Sequence, residues 1–152
     1  MTLRDQMTHE LKAAMRAKDA ERLATLRLIN AAIKDREIAA RSDANVQELD
    51  DADLIAVLTR MVKQRRDSAR AYEEAARLDL AEKELAEIAV IESFLPRQLS
   101  EDEMEAAIDD VIARLGATSV RDIGKVMGAL KAEYAGQMDF GKAGAQIKTR
   151  LA

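Results

Sequence analysis

Apolar residues return at the spacing of an α-helix along almost the whole chain, and no stretch alternates apolar with polar as a half-buried strand would. That pattern predicts an all-α, multihelical protein. Leu3, Met7, Leu11 and Ala14/Met15 share one side of a first helix over about Leu3 to Arg16. Asp19 is placed to cap a second helix, with Leu23, Leu26, Ile33 and Ala40 on its stripe. Arg41 to Asn45 reads as a loop, and a third helix runs from about Asp51 to Ala76. Asp79 with Glu82 is a capping-box pair for a fourth, which ends at Leu95 because Pro96 disfavours helical backbone before it. With only two Phe, two Tyr and no Trp, the chain lacks the residues that strands of a sandwich or barrel draw on.

Pro96 divides the sequence. Residues 1–96 form an N-terminal four-helix subdomain in this reading, and residues 97–152 a C-terminal three-helix one. Ser100 with Glu103 starts a helix that stops at Gly116. Ser119 with Asp122 starts the next, which ends near Gly136, and Asp139 caps the last. All six glycines lie beyond Pro96. The breaks at 41–45, 77–79 and 96 exclude one long coiled coil.

The residue inventory removes most catalytic chemistries. There is no cysteine, hence no disulfide framework, thiolate site or Cys nucleophile. The single histidine, His9, sits off the apolar stripe and cannot make a multi-histidine metal site. Asp50, Asp51 and Asp53 open the third helix, where its dipole favours carboxylates without any metal. Ser68 has no His or Lys four residues away to activate it, so no catalytic set, metal site or cofactor site emerges. No run approaches the length of a membrane span. The charged start, Met1 to Asp5, reads as no secretory signal, giving the expectation of a cytoplasmic protein.

Three charged constellations stand out. Arg65 falls near the centre of the third helix's apolar stripe and Glu92 on that of the fourth, Ala81–Leu85–Ile88–Glu92. Folding the two helices back at 77–79 brings Arg65 and Glu92 within a turn of each other, as a buried polar pair that sets helix register or forms part of a ligand site. Asn30 and Glu37 face inward on the second helix as further candidates. Lys63, Arg66 and Arg70 gather on the outer side of the third helix, either as a phosphate-facing patch or as a solvated face. Finally, Gly124 and Gly128 share one face of a helix also carrying Lys125 and Lys131. That face admits either another helix or a nucleic-acid backbone. The whole chain carries a net charge of −4. From Arg121 onward, however, six cations (Arg121, Lys125, Lys131, Lys142, Lys148 and Arg150) outnumber three carboxylates.

The runs Thr25 to Lys34, Val62-Lys63-Gln64-Arg65-Arg66-Asp67-Ser68, Glu84 through Leu95-Pro96-Arg97-Gln98-Leu99-Ser100, and Asp122-Ile123-Gly124-Lys125-Val126-Met127 resemble the GatB/YqeY family over essentially the whole chain. The resemblance implies a stand-alone relative of the C-terminal helical and tail regions of the GatB component of the tRNA-dependent amidotransferase. That enzyme amidates Glu or Asp misacylated on tRNA, with glutamine as nitrogen donor. Its tail contacts tRNA, while its chemistry lies in other parts and subunits, which nothing in this chain matches. Carried over by motif, the tail residues are Gly124, Lys125, Met127, Lys131, Gly136 and Lys148. The sequence departs at Gln137-Met138, where the family usually has Lys-Ala.

The expected function is a non-catalytic, tRNA-linked accessory module. Lys125, Lys131, Lys142, Lys148, Gly124, Gly128 and Gly136 are its RNA-binding candidates, and tRNA or another structured RNA its ligand. The alternatives are a protein-interaction module docking on an aminoacyl-tRNA synthetase or amidotransferase subunit, or a partner-dependent component of a glutamine-dependent carbon–nitrogen ligase.

Overall fold

The structure, a computed structural model, describes residues 2–41 and 49–152. Among these the chain forms seven α-helices, one 3-10 turn and no strand, so it is all-α. Its backbone contacts group into two units, Met1–Pro96 and Arg97–Ala152.

The first unit contains α1 (Leu3–Ala17), α2 (Ala20–Arg41), α3 (Asp51–Glu74) and α4 (Leu78–Glu92). Local hydrogen bonding starts most of these helices. Thr2 and Asp5 exchange bonds in a capping box at α1, and Asp50 and Asp53 do the same at α3. The Asp19 carboxylate accepts the Arg22 N–H at 3.1 Å. Leu3, Met7, Ile29, Leu54, Leu58 and Ile91 are buried in one continuous core. On α1 it is Ala14 that faces inward, while Met15 is exposed. The expected loop begins where α2 ends at Arg41; its residues 42–45 lie outside the described residues.

The α3–α4 connection departs from expectation, and the departure has consequences. Ala76 adopts a left-handed conformation (φ 59°). The chain reverses there, with the Arg77 N–H bonded to the Tyr72 carbonyl at 2.8 Å. Helix α4 therefore starts at Leu78, and Asp79 lies inside its first turn with no side-chain cap formed. The Asp79 carboxylate instead takes the Arg77 guanidinium at 3.4 Å, which holds its pKa below the usual range. The inward residues of α4 are Ala81, Ile88 and Ile91, and Leu85 is exposed.

The second unit contains α5 (Glu101–Leu115), a 3-10 turn (Val120–Asp122), α6 (Ile123–Glu133) and α7 (Phe140–Leu151). Ser100 and Glu103 form the expected box, and Gly116 (φ 64°) ends α5. The helix expected from Ser119 opens as the 3-10 turn. There the Asp122 carboxylate accepts the N–H groups of Thr118 (3.0 Å) and Ser119 (3.4 Å), bonds that lower its pKa. Asp139 caps α7 by accepting from Gly141 and Lys142. Ile108, Val111, Val126, Leu130, Ala143 and Ile147 fill the core.

Candidate nucleic-acid interface

The outer face of α6 follows from what its inner face buries. At about 100° per residue, Val126 and Leu130 define the core side, and Gly128 lies opposite. Gly124, Lys131 and Lys125 flank Gly128 on that outer side, and all four are exposed. A Cβ added to either glycine would meet nothing within 4 Å. A helical glycine costs about 1 kcal/mol relative to alanine, and no neighbour in this unit demands one here. Helix–helix packing inside the unit is therefore not the reason for the pair.

Helix α7 extends the surface. Its core side is Ala143, Ile147 and Leu151, leaving Lys142 and Lys148 exposed. The two helices meet where Met127 approaches Gly144, whose added Cβ would stand 3.9 Å from the methionine sulfur. Lys131 on α6 and Lys148 on α7 each lie four residues, about one helical turn, beyond these contact residues.

The four lysines differ from the neighbouring arginines. Arg114 binds Glu133 through two bonds at 2.6 and 2.8 Å, raising the pKa of the guanidinium and lowering that of the carboxyl. Arg150 binds Asp109 at 2.6 Å. Among the described residues Lys125, Lys131, Lys142 and Lys148 form no salt bridge within 4 Å, although Lys125 stands near enough to Asp122 to lower the pKa of that carboxyl. Anions held by such lysines are recognised by charge and shape rather than by base identity.

Gly136 has a different place. It is buried with φ 74°, a backbone conformation that favours glycine, and its carbonyl accepts the Gln98 side-chain amide. The adjoining Gln137 carbonyl accepts the Leu99 N–H at 2.8 Å. Its role is to turn the chain between α6 and α7, and burial removes it from the contact surface. The same bonds account for the Pro96-Arg97-Gln98-Leu99-Ser100 run. Gln98 and Leu99 hold the α6–α7 turn, Ser100 caps α5, and Arg97 forks onto Glu103 at 2.8 and 2.9 Å. That fork, with the Ser100 N–H, pulls Glu103 down to about 2. In the sequence Pro96 and Ser100 announce a helix end and a helix start, while Arg97, Gln98 and Leu99 stand only as a family mark.

In the first unit, Arg65 does point inward, with 16% of its side chain exposed, but its partner is Glu87 (17%) at 2.9 Å. Glu92 takes Arg66 at 3.0 Å. Two other pairs form in place of the expected Arg65–Glu92 pair. With the reversal at Ala76, Arg65 lies eleven residues before it and Glu87 eleven after, whereas Arg66 and Glu92, ten before and sixteen after, pair outside that register. Arg66 is consequently drawn out of the outer basic patch, which keeps exposed Lys63 and Arg70. Asn30 is exposed, contrary to its expected inward position, because the buried residues flanking it on α2 are Ile29 and Ile33. Glu37 is half-buried and binds Arg4 at 2.7 Å. His9 is exposed. No group of three His, Cys, Asp or Glu residues suited to a metal occurs among the described residues, and no described helix is long and apolar enough to cross a membrane.

Comparison with known proteins gives a consistent family picture. The family model described as Yqey-like protein matches residues 4–151. The chain is similar to altered inheritance of mitochondria protein 41, mitochondrial, of Lachancea thermotolerans, at 34% identity over 108 residues, or 70% of this chain and 56% of that one. The protein of the same name from Kluyveromyces lactis is 34% identical over 112 residues, covering 72% and 58%. That from Clavispora lusitaniae is 41% identical over 86 residues, covering 57% and 47%. The matched region spans less than two thirds of the length of these relatives. Their names overturn the expectation of a cytoplasmic protein. A helical surface of mixed charge suits any aqueous compartment, so composition had no power to choose one.

Proposed function

The chain belongs to the YqeY-like family, and from that premise we propose that it is a non-catalytic accessory module that docks tRNA on the outer face of its α6–α7 tail. The observation that carries this reading is the bare helix face of Gly124 and Gly128, which no other part of the unit covers. It is bordered by lysines that form no salt bridge among the described residues, Lys125 interacting with Asp122 only at longer range. A glycine face lets a sugar–phosphate backbone approach the helix, and lysines at its borders reach phosphates on either side. The resemblance to the amidotransferase tail points to tRNA among structured RNAs. Amide transfer belongs, in this reading, to partner subunits such as an amidotransferase or a synthetase-bound complex.

The test is titration of tRNA into the 152-residue chain over a range of salt. The wild-type affinity falls steeply with salt, and combining Lys125→Ala with Lys131→Ala reduces the slope of log affinity against log salt by about two units. Gly124→Ala with Gly128→Ala raises helix stability by about 1 kcal/mol per site while weakening tRNA binding, an outcome misfolding cannot mimic. Unchanged tRNA affinity in both double variants refutes the role of the tail.

A further inference from the structure

A groove of about 810 Å³ runs between the start of α2 and the middle of α4, remote in sequence from the lysine face. Small side chains, Ala20, Ala24 and Ala86, line it together with Thr25 and Val90. Five carboxylates surround them: Asp19, Glu21, Asp79, Glu82 and Glu87. The cations on its walls are Arg22 and Lys83, so the groove carries an excess of negative charge. Some of this charge is already matched, because Glu87 holds Arg65, Asp79 holds Arg77 and Arg22 holds Glu10. Asp19, Glu21 and Glu82 have no cation within 4 Å among the described residues. Beside them, Leu78 and Leu85 are exposed on α4 at positions i and i+7, on the same face as Glu82.

We infer that this groove docks a basic amphipathic α-helix of a partner protein. Two helices wall it, and its alanines let a third helix axis approach closely, the geometry of helix-in-groove recognition. The apolar face of the incoming helix covers Ala24, Ala86 and Val90, and its Lys or Arg residues meet Glu21 and Glu82. Charge complementarity selects that occupant, since a nucleic acid or an acidic segment would be repelled.

The probe is a synthetic amphipathic Leu/Lys helix, with the Leu/Glu peptide of equal length as its counterpart, titrated into the 152-residue chain labelled for amide NMR. Binding of the Lys peptide is expected to shift the amides of Ala24, Thr25, Ala86 and Val90. Glu21→Lys with Glu82→Lys weakens it at least tenfold, whereas the reversal Glu73→Lys with Glu74→Lys, at residues that do not line the groove, weakens it less than twofold. Ala86→Gln, which fills the groove without changing its charge, weakens binding at least fivefold. Equal weakening by the reversal outside the groove lining, no effect of Ala86→Gln, or amide shifts centred elsewhere would each overturn the proposal. So would a dimer in sedimentation that the Glu21/Glu82 reversal dissolves, because the occupant would then be a second copy of the chain.

Discussion

Replacing Glu87 by alanine removes the acceptor from Arg65 at a site where little water can take its place. Both side chains are about one-sixth exposed, and the Arg65 Nε–H donates to Glu87 at 2.9 Å. Loss of one partner of a fully buried pair costs about 3–5 kcal/mol. Here residual exposure and the remaining bond from Nη1 to the Met61 carbonyl at 3.3 Å soften the loss. The expected destabilisation is therefore about 2 kcal/mol. Glu92→Ala cuts the neighbouring Arg66 pair, whose members are 36% and 26% exposed, and should cost at most about 1 kcal/mol. The double replacement Arg65→Met with Glu87→Leu removes both charges and retains apolar volume, so it should recover most of the loss. Urea unfolding followed by far-ultraviolet circular dichroism measures the midpoints, and hydrogen exchange at α3 and α4 amides assigns the effect to the first unit. Equal costs for Glu87→Ala and Glu92→Ala would refute the ranking by burial. A double variant no more stable than Glu87→Ala would refute the claim that the stranded charge is the source.

Two further outcomes test local features. Ala76→Gly should raise stability by about 0.5–1 kcal/mol, because an L side chain is strained at φ 59° and glycine is not; a lower urea midpoint would show that the turn is not limiting. Glu103 has its pKa depressed to about 2 by the Arg97 fork and the Ser100 N–H. A depressed carboxyl contributes stability that is fully present above its unfolded pKa and is lost as pH falls toward the folded value. Acid titration of the second unit should therefore show a loss between about pH 4.5 and pH 2 that Glu103→Gln lacks, and an identical acid profile in that variant would exclude this carboxyl as a contributor.

Family resemblance marks the tail residues from sequence alone, yet it groups Gly136 with Gly124 and Lys125 although they differ in role. Gly124 lies on open surface, whereas Gly136 is a buried turn residue whose carbonyl is occupied by Gln98. A motif records which residues occur together, and cannot say which of them face water. The start of α4 shows a related limit. Asp79 and Glu82 have the spacing of a capping box, but the reversal at Ala76 begins the helix two residues earlier and leaves the box unformed.

Sequence by itself determined the all-α class and where most helices begin and end. Those features rest on apolar period and on bonds spanning three or four residues, such as the Ser100–Glu103 box and the Asp139 cap. It also determined that Arg65 points inward, since its angular position on α3 depends on that helix alone. Only the tertiary structure decided that Glu87 answers Arg65, that Glu92 takes Arg66, and that Gly124 and Gly128 have no covering neighbour. The physical reason is register. A helical period fixes directions within one helix, but which residues of two helices meet depends on where the chain turns between them. Here that turn is set by the left-handed Ala76, a conformation that no glycine announces.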